Sequence, residues 1–363
     1  MDPNRSKLRE PYRSLDSFTL SDVETACLIL RGGSVLDWSR LNLTPPEIET
    51  LCAAHCLDLD DPDDAALVHR IRDEAIAYLG EQFDFPIPGP IRRATLPELL
   101  AMSSASGSRH RRLCACTLLK AMHVINHFDA SEARQSLKLT EHELFELAED
   151  AIYRTISRMM AERLPVVEFW GGRKQRSSMV TKLLSKEDPL SAQLFDKMRF
   201  RVVTATKDDV MPTINFLSRT LFPFNYVLSS ESYNTLFPFQ AFCAEHPRLA
   251  ALTGQLDLDP AAAEPVQPAS NAHSSPRYRV VHWVVDMPLK LDDYRSKFDT
   301  DGINPVPRPI VYVRVELQIL DRRTHRVNER GHASHRQYKA RQRGFVSDRL
   351  HVGLSGAEGE ETS

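Results

Sequence analysis

Long apolar runs are missing from this chain. Nothing in its 363 residues approaches the ~20 consecutive apolar positions of a membrane-spanning helix, so no membrane association is expected. Cysteine is scarce: six in a chain of this length cannot build a disulfide scaffold. Neither sign of charge dominates, with 46 Lys+Arg against 49 Asp+Glu and a formal net charge of -3. That balance argues against a wholesale polyanion binder and leaves room for local basic patches. No internal repeat is found, and Met1-Asp2-Pro3-Asn4-Arg5 is polar with no apolar run behind it, so no secretory signal is expected. What is present is an ordinary globular composition, 42% hydrophobic and 26% charged, sufficient for roughly two domains with a sizeable core. The expectation is a cytoplasmic protein with reduced thiols. Cys52 and Cys56, with His55 between them, and the pair Cys114 and Cys116 lack the usual zinc spacing and read as small buried hydrophobes.

Residues 1–165 read as helical. Ser21 with Glu24, Thr44 with Glu47, Thr95 with Glu98 and Thr140 with Glu143 all have the spacing of a helix-capping box. The stretch from Asp61 to Phe83 repeats its apolar residues with an approximate 3.6 period. From Val166 the pattern changes. Strands are expected at Arg199–Thr204, Tyr278–Val285 and Ile310–Ile319, with a helix over Asp208–Leu221. The predicted class is α+β: a helical N-terminal region of unknown role, then a domain over 166–345 with a mixed, nucleotidyltransferase-like sheet flanked by helices. A long irregular insertion is expected at about 222–276, and a disordered acidic tail over 346–363. Trp170, Trp283, Phe222, Phe224, Phe237 and Phe239 read as core or as cover for the insertion.

Three features bear chemistry. On the strand Ile310–Ile319, Arg314, Glu316 and Gln318 share one face. On strand pattern alone, the simplest account is a wetted surface with a cross-strand ion pair. If the face is covered, Glu316 must be paired or bind a metal. Next, Gly171-Gly172-Arg173-Lys174 reads as a glycine pair opening into a cationic helix start, with Lys174, Ser178 and Lys182 recurring every four residues on one helix face. Such a start suits phosphate oxygens, and Asp196 before the next strand can reach a Mg²⁺ that also holds phosphates. Third, the segment from Asp321 to Arg343 carries eight Arg/Lys against two acids. It reads as a solvated basic helix or as a surface facing RNA or triphosphate. Arg109-His110-Arg111-Arg112 reads as a loop-to-helix basic cluster.

Taken together, Val315-Glu316-Leu317-Gln318-Ile319 and the closing Glu329, Gly331, Ala333, His335, Tyr338 and Lys339 resemble the synthetase domain of the RelA/SpoT family. Asp196 and Arg201, then Tyr278 and His282, and the helix positions Lys174, Ser178 and Lys182 match further motifs of that family in the same order. The resemblance covers roughly Val166 to Arg343. Family members move pyrophosphate from ATP to the 3′-hydroxyl of GDP or GTP.

The resemblance implies an ATP-dependent transferase of the (p)ppGpp-synthetase type that uses Mg²⁺. Asp196 and Glu316 would hold the metal and serve catalysis, with Glu316 sharing the ion or acting as base toward the ribose hydroxyl. Arg173, Lys174, Ser178, Lys182 and Arg201 would bind ATP, and Tyr278, His282 and Gln318 the acceptor. The acceptor motif departs from the family at Ser274, Pro276, Arg277 and Val280. Two alternatives therefore stay open: pyrophosphorylation of an RNA or tRNA 3′ end, and a catalytically inactive nucleotide-binding module. The N-terminal region has no His-Asp dipeptide, and His127-Phe128-Asp129 and Glu149-Asp150 lack the spacing of the family's hydrolase half. That region is expected to serve something else, such as homo-oligomer formation or a regulatory partner.

Overall fold

The structure, a computed structural model, describes residues 12–135, 137–185, 198–256, 275–291, 310–330 and 335–351. Among these residues seven α-helices precede the first strand: α1 (Leu20–Arg31), α2 (Pro45–Ala54), α3 (Pro62–Phe83), α4 (Gly89–Arg92), α5 (Leu96–Ser104), α6 (Arg109–Gln135) and α7 (Glu141–Ala161). The remainder runs β1 (Val166–Arg173), α8 (Arg176–Leu184), β2 (Met198–Thr204), α9 (Val210–Thr220), β3 (Tyr233–Asn234), α10 (Phe239–Glu245), α11 (Pro247–Thr253), β4 (Val281–Lys290), β5 (Ile310–Asp321), α12 (Arg322–Asn328) and α13 (His335–Leu350). The fold is α+β. No helix among the described residues is long and apolar enough to cross a membrane.

Local chemistry explains the helix starts. Thr44/Glu47, Thr95/Glu98 and Thr140/Glu143 form the reciprocal capping boxes their spacing predicts. The first box differs: α1 is capped by Thr19 with Asp22, two residues before the predicted Ser21 with Glu24. Glu24 instead accepts from Asn42 Nδ2 at 2.6 Å. Cys52 ends up inside α2 and Cys56 beyond its end, at φ +62°, so the two do not share a helix face. All six cysteines are free thiols, and all but Cys27 are buried.

Five strands form one mixed sheet in the order β1-β2-β5-β4-β3. β2 and β5 are parallel, and every other neighbouring pair is antiparallel. One face is apolar: Phe200 and Val202, Val315 and Leu317, and Trp283 and Val285 are all fully buried. α7 covers that face near β1, where Tyr153 meets the stacked rings of Phe169 and Phe200 edge-on. Phe222, Phe224, Phe237 and Phe239 are core residues, as expected, whereas Trp170 is 40% exposed and lies outside the core.

The expectation of an irregular insertion over 222–276 needs correcting for its described part. Residues 222–256 supply strand β3 and helices α10 and α11. The predicted glycine pair also changes place. Gly171 and Gly172 end strand β1, and α8 begins only at Arg176. Gly171 sits at φ +152°, and a Cβ there would come within 2.2 Å of the Arg199 carbonyl oxygen, so this close crossing of β1 over β2 tolerates no side chain. At the other end, α13 continues to Leu350, past the start expected for a tail at 346.

Candidate functional site

The second face of the sheet is polar, and strand alternation assembles it. Parallel register sets Arg199 and Arg201 of β2 beside Glu316 and Gln318 of β5, and antiparallel register sets His282 of β4 beside Gln318. Farther along the same face, Asp286 pairs with Arg314. α6 covers that end: Asn126 donates to the Tyr312 hydroxyl at 2.9 Å, and His127 Nε2 meets Asp286 at 3.2 Å. The cross-strand ion pair expected for this face exists, between Arg314 Nε and Asp286 at 2.9 Å. The rest of the face is not a wetted surface.

Glu316 is fully buried. Its Oε2 accepts from Lys174 Nζ at 2.6 Å. Its Oε1 faces Arg199 Nε at 2.6 Å, His282 Nε2 at 2.9 Å and Gln318 Nε2 at 3.1 Å. Burial alone would raise the carboxyl's pKa, but Arg199, Lys174 and His282 outweigh it and hold the group well below the usual carboxylate range. The His282 ring stacks on Tyr233 at 4.6 Å between centroids, and its Nδ1 lies 3.1 Å from the Glu231 carbonyl oxygen. Both ring nitrogens therefore face oxygen acceptors.

A second knot adjoins the first. Arg201 donates to Gln318 Oε1 at 3.0 Å, to the Tyr278 hydroxyl at 3.0 Å and to Glu329 at 2.8 Å. Its guanidinium lies 5.4 Å from the centre of the Trp170 ring. Tyr278 sits in the turn before β4, three residues ahead of the strand's actual start at Val281. Burial raises its phenol pKa, with Arg201 and Arg199 opposing.

α8 and α13 close the rim. They are joined where Gln342 donates to Ser185 and Arg349 donates to the Leu184 carbonyl. Lys182 lies on α8, four residues after Ser178, while Lys339 and Arg343 lie four apart on α13. Burial lowers the Lys339 pKa, and Arg199, Arg343, Lys174 and Lys182 lower it further. Every charge acting most strongly on Lys339 is positive. Such crowding favours an anion with several oxygens between the cations.

The predicted site residues thus separate. Lys174, Lys182, Arg201, Tyr278, His282, Glu316 and Gln318 converge, and Ser178 shares the helix of Lys182. Lys174 precedes α8 and owes its place to Glu316 rather than to a helix face. Arg173 does not join them: its guanidinium turns to Glu146 and Glu149 on α7, at 3.5 and 3.7 Å. Asp196 lies outside the described residues, as does Ser274. Sequence reasoning gave no site role to Arg199, Lys339, Arg343 or Trp170. For Arg199 a signal existed, since it shares the Arg201 face of a strand by simple alternation.

Among the described residues no group of three or more His, Cys, Asp or Glu gathers as a metal site. Glu316 is already bound by an ammonium and a guanidinium, which a divalent ion would have to displace.

No family model matches the chain, and no curated protein matches it. Solved structures do. Small alarmone synthetase 2 from Bacillus subtilis is 15% identical, with 60% of this chain and 95% of that chain covered and a TM-score of 0.30. Small alarmone synthetase 1 from the same organism is 18% identical, with coverage of 61% and 96% and a TM-score of 0.29. A GTP pyrophosphokinase family protein from Streptococcus pneumoniae is 15% identical, with coverage of 61% and 93% and a TM-score of 0.27.

Proposed function

We propose that this chain transfers a pyrophosphate group from ATP to the 3′-hydroxyl of a guanine nucleotide. In that reaction the acceptor oxygen bonds to the β-phosphorus, AMP departs with the bridging oxygen, and the hydroxyl proton is lost. The observation that carries the reading is the crowding of Lys174, Lys182, Arg199, Lys339 and Arg343 beside the buried Glu316. Phosphoryl-type transfer depends chiefly on positive charge preorganised around the phosphates, and this rim supplies it. The motif register of Glu316, Gln318, Tyr278 and His282 supports a guanine nucleotide as acceptor. Arg201, anchored by Gln318, Tyr278 and Glu329, would hold a further phosphate.

Glu316 has a revised part in this reading. A carboxylate whose pKa is depressed by two cations is a poor base at neutral pH. It serves better as the anchor that sets Lys174 and Arg199 at the phosphates. The resemblance implies Mg²⁺; here Glu316 is already engaged by Lys174 and Arg199, and Asp196 lies outside the described residues.

The test is incubation of the pure protein with ATP labelled at the β-phosphate, magnesium, and GDP, GTP or bulk tRNA, followed by chromatography. Label in a guanosine product is the expected result. Label on tRNA would move the chain to the RNA-acceptor reading, which the basic helix α13 favours. No label on any acceptor, with ATP still bound, would reduce it to a binding module. Glu316→Gln should lower transfer by about a hundredfold while leaving the far-ultraviolet spectrum unchanged. Full activity in that variant would refute the assignment of the site.

A further inference from the structure

The N-terminal helices enclose a cavity that the transfer reaction does not use. It has a volume of about 150 Å³ and lies between α2, α3, α5 and α6, with the segment 35–41 and the turn Phe224–Tyr226 completing its walls. The lining is mostly apolar, with Leu51, Leu67, Ile71, Leu100 and Met122 among its residues. Trp38 stacks on Phe224 at the wall, with ring centroids 5.7 Å apart. Leu36 and Arg40 are exposed, so the cavity opens to solvent on their side.

Two classes of polar group interrupt this lining. The first is neutral. Burial pushes the His123 imidazole down to about 4, helped by His55 and His127, and burial also lowers His55. Asn225 donates to His123 Nδ1 at 3.1 Å, and His55 Nδ1 donates to the Leu51 carbonyl oxygen at 2.7 Å. The second class is cationic. Lys120 of α6 lines the cavity half-buried and makes no ion pair among the described residues. Arg40 lines it too, at 3.5 Å from the Ser104 carbonyl oxygen, and its charge also acts on Glu24. An ammonium without a carboxylate, beside an apolar hollow, calls for an anionic head on an apolar body.

We infer that this cavity binds a small monocarboxylate, with its chain or ring of about six to eight carbons inside and its carboxylate on Lys120 and Arg40. An apolar cavity of this volume takes a molecule the size of benzene. The neutral imidazoles keep the interior from competing for the charge, and that fixes the orientation. A nucleotide is excluded by size and polarity, so the site is separate from the one on the sheet.

The experiment is a titration of the full chain with hexanoate and phenylacetate, beside hexanol and benzyl alcohol. Binding is read from Trp38 fluorescence, with Trp38→Phe as the variant that assigns the signal, and from the thermal midpoint, which rises when a ligand binds the folded state alone. The expected result is that each carboxylate binds at least about fivefold more tightly than its alcohol, and that Lys120→Met removes this ratio. Leu100→Trp should fill the hollow and abolish binding of both. If that variant fails to fold, Lys120→Met still decides, since its side chain is at the rim. Equal binding of acid and alcohol, a ratio unchanged by Lys120→Met, or no binding of either class would each overturn the inference.

Discussion

Two of the buried carboxylate clusters among the described residues are built on opposite plans. The first joins α1, α2 and α9. Asp22 and Glu47 both accept from Arg13, at 3.0 Å each, and Arg219 reaches Glu47 at 2.9 Å and bonds Asp22 as well. The same two acids cap α1 and α2 through Thr19 and Thr44. Two negative and two positive groups close on each other, and nothing in the cluster calls for an outside partner. The second cluster sits on the sheet, where Lys174, Arg199 and His282 converge on Glu316 and further cations crowd Lys339. There, several cations gather around one buried carboxylate, on a face that an arriving polyphosphate would be drawn to. A balanced cluster reads as structure; a crowded one reads as a binding site.

The largest test of this contrast is Arg219→Ala. It takes a guanidinium from two buried carboxylates and should cost about 3 kcal/mol of stability, read as a lower denaturant midpoint, with nucleotide binding unchanged. A loss of binding as large as the loss of stability would mean the first cluster also serves the site. Lys339→Met should do the opposite. It removes one positive group from a crowd, so stability should stay within about 0.5 kcal/mol, while affinity for ATP falls about tenfold and its salt dependence flattens. If the protein unfolds instead, Lys339 belongs with the structural ions.

These two clusters were unequally legible in the sequence. The Thr44/Glu47 box could be read because a cap and its partner lie three residues apart, whereas Arg13 and Arg219 are separated from Glu47 by 34 and 172 positions and carry no local mark. Lys174 and Glu316 are 142 apart, and only the ordered motifs of the sheet half drew them together before the fold did. Strand β5 was plain from its β-branched alternation. β3 was not, because two residues carry no period; its existence depends on pairing with β4. The far end of β4 was hidden by Pro288, which reads as a strand breaker. The structure accommodates it because β3 pairs only at the other end of β4, at Val281 and His282, and the Pro288 carbonyl accepts from the Cys56 thiol at 3.5 Å instead of from a strand. Arg173 misled for the reverse reason: the sequence showed its charge, and tertiary packing gave that charge to α7.

Proton linkage gives the finest separation of the two clusters. Glu47 and Glu316 both have depressed pKa values, Glu47 through its hydrogen bonds to Thr44, Thr19 and Arg13 against the opposing effect of burial. Each therefore contributes stability that is present above the ordinary value of 4.5 and is lost as pH falls through its folded value. Acid unfolding alone cannot tell them apart, but a bound anion can. Phosphate oxygens compete for Lys174 and Arg199, the groups that keep Glu316 ionised, and so they raise its pKa, while Glu47 and its arginines feel nothing. Binding of ATP near pH 5 should accordingly draw in a fraction of a proton at Glu316. Calorimetry in two buffers of different ionisation enthalpy measures that uptake, and Glu316→Gln supplies the baseline for protons taken up by the nucleotide itself. The difference between the two proteins should be positive at pH 5 and vanish by pH 8. A difference of zero at both would mean that the anion settles without touching Lys174 or Arg199, and that Glu316 is one more structural acid like Glu47.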